Sequence, residues 1–223
     1  MTPVVEPTLR TEALLHREGV RYVIGVDEVG RGAIAGPVAV GVCVVDATVG
    51  RMPKGLRDSK LLSEKRREEL APLAAGWVRY SAVGLATAQE VDEVGIIAAL
   101  GLAGVRALVA VEQAGAEFGD AVLLLDGSHN WLAPAGVTAI DVRTRVKADR
   151  DCASVAAASV IAKVHRDRMM IQAHETAPHY AWRSNKGYAS AEHYAAIDVH
   201  GPSGLHRLSW LHRDGQTDGV EVA

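Results

Sequence analysis

The chain has 223 residues, 48% hydrophobic and 23% charged, with a formal net charge of −3 from 24 Lys+Arg against 27 Asp+Glu. That length is enough to bury a sizeable core. The acidic balance excludes a non-specific nucleic-acid coat protein, though not an enzyme that grips nucleic acid in one local groove.

In chain order, residues 1–20 read as an N-terminal segment. Residues 22–27 form an apolar run closing on the acidic pair Asp27-Glu28, a first strand, with a tight turn at Gly30 and Gly32. Residues 36–45 (GPVAVGVCVV) return as a second strand, and only GRGAIA lies between, short enough for antiparallel neighbours. Ser63 is placed to cap a helix over EKRREELAPLA. A third strand follows over 78–85. Thr87 caps a helical region that continues from 96 to 114. Residues 121–125 (AVLLL) read as a buried strand ending at Asp126-Gly127, and 137–142 as another. Ser154 opens a helix to about residue 174, with Ala156, Ala157, Ala158 and Ser159 packed early in it. Residues 190–200 form a further helix, and the tail from 213 is polar and flexible. Three strands, then strands alternating with helices, predict an α/β domain with a mixed sheet over 21–174. A small helical extension covers 175–212, and the tail 213–223.

Cys43 and Cys152 sit in apolar surroundings without CxxC spacing, as reduced thiols. The N-terminus lacks a basic start followed by a long apolar run, and no window approaches the roughly 20 apolar residues of a membrane span. The expectation is a cytoplasmic monomer with no membrane contact. None of the nine histidines forms HExxH or a Cys/His grouping with ligand spacing, so they read as packing or surface residues.

Asp27, Glu28, Asp126 and Asp149 all stand at strand ends or beside a helix start. Hard divalent cations bind through a few carboxylates plus water and phosphate, so a cluster of these acids is a metal cradle. Singly, each also reads as a turn residue or solvated strand end. Side chains alternate across a strand, so Asp27 and Glu28 share one ion only if the backbone bends at Glu28. Gly30, Gly32 and Gly36 lack GxGxxG spacing, and a strand follows them rather than a helix.

The stretch GVDEVGRGAIAGPV (25–38) resembles the opening signature of the type 2 ribonucleases H, as does RDSKLLSEKRREEL (57–70). KADRDCASVAAASVIAKVHRDR (147–168), SNKGYAS (184–190) and HGPSGLHRLSW (200–210) are similar to later elements of that family, in the same order. The resemblance implies a ribonuclease H-like fold, with a central mixed five-stranded sheet flanked by helices and a small C-terminal helical extension. It implies that Asp27, Glu28, Asp126 and Asp149 are the catalytic ligands of Mg²⁺ or Mn²⁺, with Asp27 bridging two ions. It places ribose reading on Gly30, Arg31 and Gly32, and sugar packing on Tyr188. Ala33 stands where relatives carry Pro, and Ala148 where many carry Gly.

The implied activity is endonucleolytic cleavage of the RNA strand of RNA·DNA hybrids, and cutting 5′ to ribonucleotides in duplex DNA, leaving 3′-hydroxyl and 5′-phosphate ends. Backbone groups of a glycine turn suit contact with a 2′-OH, because glycine lets the main chain approach closely. Ser59 and Lys60 are the expected phosphate contacts, among basic residues grouped at 51–67 and 143–150. Arg183 and Lys186, near Tyr188, read either as phosphate contacts or as solvated charges. Asp167 reads as a helix-surface acid paired with an arginine. Two other classes remain open at this point. A catalytically idle hybrid-binding module would gain only repulsion from four acids. A DNA nuclease of the same fold would have no use for the Gly-Arg-Gly and Tyr188 set.

Overall fold

The computed structural model describes residues 6–211, so the tail expected at 213–223 lies outside them. A short helix, α1 (Arg10–Arg17), precedes strands β1 (Tyr22–Val29) and β2 (Val38–Val45). Next come α2 (Glu64–Trp77), β3 (Tyr80–Ala86), α3 (Ala88–Gln113), β4 (Ala121–Asp126) and β5 (Asp141–Arg145). Then follow the short α4 (Ala148–Asp151), the long α5 (Ala153–Thr176), α6 (Trp182–Asn185) and α7 (Ala191–His200). The five strands form one mixed sheet ordered β3-β2-β1-β4-β5. β1 pairs antiparallel with β2 and parallel with β4, so the strand carrying Asp27 is central.

One face of the sheet presents Ile24, Val26, Val40, Val42, Leu123 and Leu125 to α3. The other presents Val23, Cys43, Val45, Val122 and Leu124 to α5, with α2 and α1 completing the layer. α5 lies very close to the sheet. A side-chain carbon on Gly25 would run into the main chain of Ser154, and one on Gly41 into that of Ala158. The Ala156–Ser159 run supplies the matching small surface, all fully buried. Both cysteines are buried and free, and burial pushes the Cys152 thiol up to about 11.

Local capping chemistry sets several boundaries. Ser63 Oγ accepts from the Arg66 amide, and Thr87 with Glu90 closes a reciprocal capping box. Gly95, at φ 77°, kinks α3 between the two helical stretches expected separately. Four expectations need correction. The strand placed at 137–142 lies at Asp141–Arg145, because parallel pairing with β4 sets Val122 opposite Asp141; Val137 and Ile140 pack against the core from the preceding loop. α5 begins at Ala153 and Ser154 does not cap it; instead Glu12 Oε1 of α1 accepts from the Ser154 amide and hydroxyl at 2.9 and 2.8 Å. Residues 10–17 are helical within what read only as a segment. Finally, α3 has an 18-residue window with mean hydropathy 2.2, long and apolar enough to cross a membrane by length and composition. Here its Leu100, Ala103, Ala107 and Val111 are core residues against the sheet.

Candidate metal and nucleic-acid site

The register that pairs Val26 with Leu125 sets Asp27 beside Asp126 one position further along neighbouring parallel strands. Alternation directs both toward the α5 side of the sheet. Asp126 Oδ1 accepts from the amides of Ala148 at 2.7 Å and Asp149 at 3.4 Å, capping the short helix that carries Asp149. Three acids from distant segments thus meet at one sheet end. Glu28 joins them without the bend that sequence alternation called for. β1 stays paired with β2 through Val29, and Glu28 lines the cleft from the strand end with Oε1 3.7 Å from Arg31 Nη1.

A cleft of about 200 Å³ is lined by Asp27, Glu28, Gly30, Arg31, Gly32, Ser59, Lys60, Asp126, Lys163 and Tyr188. Asp149 sits just behind it, tied to Lys60. Nine of the ten expected site residues line this cleft, and Asp149 reaches it through Lys60.

Burial raises the pKa of Asp27 well above the usual carboxylate range, and the charges of Glu28 and Asp126 push the same way. Burial likewise raises Glu28, with Asp126 adding to it, and raises Asp126, with Asp149 adding to it. Arg31 offsets the charge of Glu28, and Lys60 is the counter-charge deepest among the other acids, its Nζ 3.2 Å from Asp149 Oδ2 and 3.9 Å from Asp58 Oδ1. Partial burial works against its ammonium, but Asp27, Asp58 and Asp149 outweigh it and hold the proton more tightly than in water. Among the described residues no three His, Cys, Asp or Glu side chains stand close enough together to hold a metal ion without adjustment. A hard, oxygen-only donor set with uncompensated negative charge at a cleft floor nonetheless fits a divalent cation of the Mg²⁺ or Mn²⁺ type, which would relieve the repulsion that raises these acids.

Ser59 is buried and its hydroxyl accepts from Ser159 at 2.9 Å, so it anchors the loop that projects Lys60. The other basic residues are mostly committed within the protein. Arg57 pairs with Glu6, Arg66 with Glu69, Arg143 with Asp141, and Arg145 and Arg150 with Asp151. Arg183 pairs with Glu175 and the buried Lys186 with Glu64, so neither is an open phosphate contact. Asp167 is not on the surface; it is buried, 2.6 Å from Lys163 Nζ and 3.8 Å from Arg67 Nη2.

The two glycines of the bend differ. Gly30 has φ 83°, and a side chain there would collide with the Arg166 guanidinium, so the fold itself demands glycine. Gly32 has no positive φ, and a side-chain carbon there would meet nothing within 4 Å. Ala33 donates its amide to Gly30 O at 3.2 Å, a bond that proline lacks the hydrogen to make, and Ala148 sits fully buried in ordinary helical geometry.

Sequence reasoning missed three contributors. Lys163 lines the cleft, with Nζ 5.6 Å from the centre of the Tyr188 ring. Its i,i+4 spacing to Asp167 was the available signal. Arg166 and Arg207 are fully buried and bind only main-chain carbonyls, Arg166 those of Pro37, Ala35 and Lys186, and Arg207 those of Gly30, Arg31 and Gly36.

The family model described as ribonuclease HII matches residues 24–213. The ribonuclease HII of Streptomyces griseus is 46% identical over 216 residues, covering 96% of this chain and 85% of that protein. That of Paracoccus denitrificans is 38% identical, covering 92% of this chain and 91% of its own. Among solved structures, the ribonuclease HII of Archaeoglobus fulgidus, determined in complex with PCNA, superposes with a TM-score of 0.69 at 26% identity, over 88% of this chain and 98% of that one.

Proposed function

This chain belongs to the ribonuclease HII family, and from that premise we propose that it nicks duplex DNA on the 5′ side of an embedded ribonucleotide as well as cutting the RNA strand of RNA·DNA hybrids. The observation that carries this reading is a single cleft in which four acids adjoin a bare glycine bend and an aromatic ring.

Asp27, Glu28, Asp126 and Asp149 would hold Mg²⁺ or Mn²⁺. When bound, such ions activate water and neutralise the scissile phosphate, giving 3′-hydroxyl and 5′-phosphate ends. The chain's own residues do the rest. Gly30, Arg31 and Gly32 bring main-chain N–H groups within reach of a 2′-OH, the one group that separates ribose from deoxyribose. Tyr188 packs against the adjoining sugar. Lys60 meets a phosphate, and Ser59 fixes the loop from which it reaches. The task this serves is removal of ribonucleotides from DNA in the cytoplasm.

The test is to incubate the protein with Mg²⁺ or Mn²⁺ and a DNA duplex carrying one ribonucleotide, then map the nick. The expected cut lies 5′ to the ribonucleotide and is lost in Asp126→Asn. Undiminished cutting by that variant removes Asp126 from the chemistry, and an intact duplex with the parent protein removes the substrate.

A further inference from the structure

Two imidazoles that no step of hydrolysis uses lie at the centre of the C-terminal lobe. His193 and His206 are buried, with their Nε2 atoms 3.1 Å apart. Their partners fix where the protons sit. The Trp182 indole N–H can only donate, and it lies 3.0 Å from His193 Nε2, so that nitrogen accepts. The His193 proton is then on Nδ1, which donates to the Tyr188 carbonyl at 2.9 Å. On the second ring, the Ser203 amide donates to Nδ1 at 2.8 Å. The His206 proton is therefore on Nε2, directed at His193. Both rings are neutral, and neither has a lone pair left for a second proton.

This chain of bonds has a functional element at each end. At one end is Tyr188. At the other, His206 forms a backbone bridge to Ala35, and the next residue, Arg207, donates to Arg31 O at 2.9 Å, Gly30 O at 2.7 Å and Gly36 O at 3.2 Å. In a planar trans peptide the N–H points opposite to the C=O. Turning the Gly30 and Arg31 carbonyls inward onto the guanidinium therefore turns the amides of Arg31 and Gly32 away from it, toward the cleft those residues line.

We propose that the His193–His206 pair is the positioning element of ribose discrimination, holding Tyr188 and the Gly30–Gly32 amides at one fixed separation. This rests on the sugar-reading roles given above to those residues. Losing the tie loosens selectivity for a lone ribonucleotide, where a single sugar must be caught by both elements. A long hybrid offers many registers and is cut nearly as before.

Two variants divide the work of His193. His193→Asn keeps a donor near the Nδ1 position, toward Tyr188 O, and lacks the far acceptor. His193→Gln keeps a polar end near the Nε2 position and lacks the donor to Tyr188. The readout is the ratio of kcat/KM on a one-ribonucleotide duplex to that on a long RNA·DNA hybrid, alongside the melting temperature of each variant. His193→Gln is expected to lower the ratio about tenfold, the worth of one ordinary hydrogen bond. His193→Asn breaks the same link to His206 while keeping the donor toward Tyr188 O, and should lower the ratio by a similar factor. His206→Asn, which retains the Ser203 acceptor and breaks the link to His193, should behave like His193→Gln and carries the test if the His193 variants do not fold. Ratios that stay at the parent value in the folded variants, or that follow melting temperature from variant to variant rather than the loss of the link, overturn the proposal and leave the pair as packing. A parent protein that leaves the one-ribonucleotide duplex intact overturns the reading of the site as well.

Discussion

Two regions of this protein take polar groups out of water, and they do so with opposite outcomes. In the C-terminal lobe and on the α5 face it packs against, His193, His206, Arg166 and most of Arg207 find partners from the chain itself: indole, amide and carbonyl groups at hydrogen-bonding distance. In the cleft Asp27, Glu28 and Asp126 are raised by burial and by one another, even with Lys60 and Arg31 beside them. The first arrangement is complete and acts as scaffold. The second leaves acids that raise one another, a setting that a divalent ion would relieve.

Asp27→Asn tests this contrast most severely. Hydrolysis of a hybrid should fall by about a thousandfold or more, roughly 4 kcal/mol of barrier. The metal-free protein should melt no lower than the parent, since a repelling charge has gone. A melting point several degrees lower would make Asp27 part of the scaffold. Arg207→Met should do the reverse in kind, costing about 3–5 kcal/mol of unfolding free energy in urea, because three buried carbonyls lose a charged donor. A variant as stable as the parent would erase the distinction between the two regions.

Adding Mn²⁺ to the parent comes next in size. At a hundred times its dissociation constant an ion contributes about 2.7 kcal/mol, roughly 5–10 °C in a chain of this length. The cleft acids have raised pKa values in the fold, so their contribution to stability is present at low pH and lost as pH rises through those values. The gain from Mn²⁺ should accordingly be larger above neutrality than in mild acid, and small in Asp27→Asn at any pH. An equal gain in that variant would place the ion elsewhere.

The imidazoles respond to pH in the opposite sense. Burial, with His193 beside it, lowers His206 to about 4, against about 6.5 in an unfolded chain. A histidine with a depressed folded value gives its full stability above the unfolded value and loses it as pH falls, here across the interval between the two. Comparing the metal-free parent with His206→Asn across that interval isolates the contribution, since the cleft acids titrate in the opposite sense in both. Parallel curves would mean that His206 takes up a proton inside the fold.

What the sequence disclosed follows the reach of the interactions involved. Ser63, Thr87 and Ser190 announce helix starts because a cap acts within three residues. The strand order follows from apolar runs and short connections. The acids of the cleft were legible as candidates, and the family resemblance of their surroundings assigned them. What stayed hidden depends on partners far along the chain. Glu12 holds the start of α5 from 142 residues away. Arg166 and Arg207 look like surface charges until the carbonyls they serve are seen. β5 was set four residues early because its apolar approach, Val137 to Ile140, packs on the core as loop, and the strand proper is polar and exposed.

The order of the strands also bears on synthesis. A chain grown only through Ala86 already contains β1, β2 and β3, which pair as neighbours, yet of the four acids it holds only Asp27 and Glu28. Asp126 and Asp149 emerge later, Tyr188 later still, and the guanidinium that clasps the Gly30 bend comes 177 residues after that bend is made. A chain at that stage lacks Asp126, Asp149, Tyr188 and the Arg207 clasp that complete the cleft and its bend.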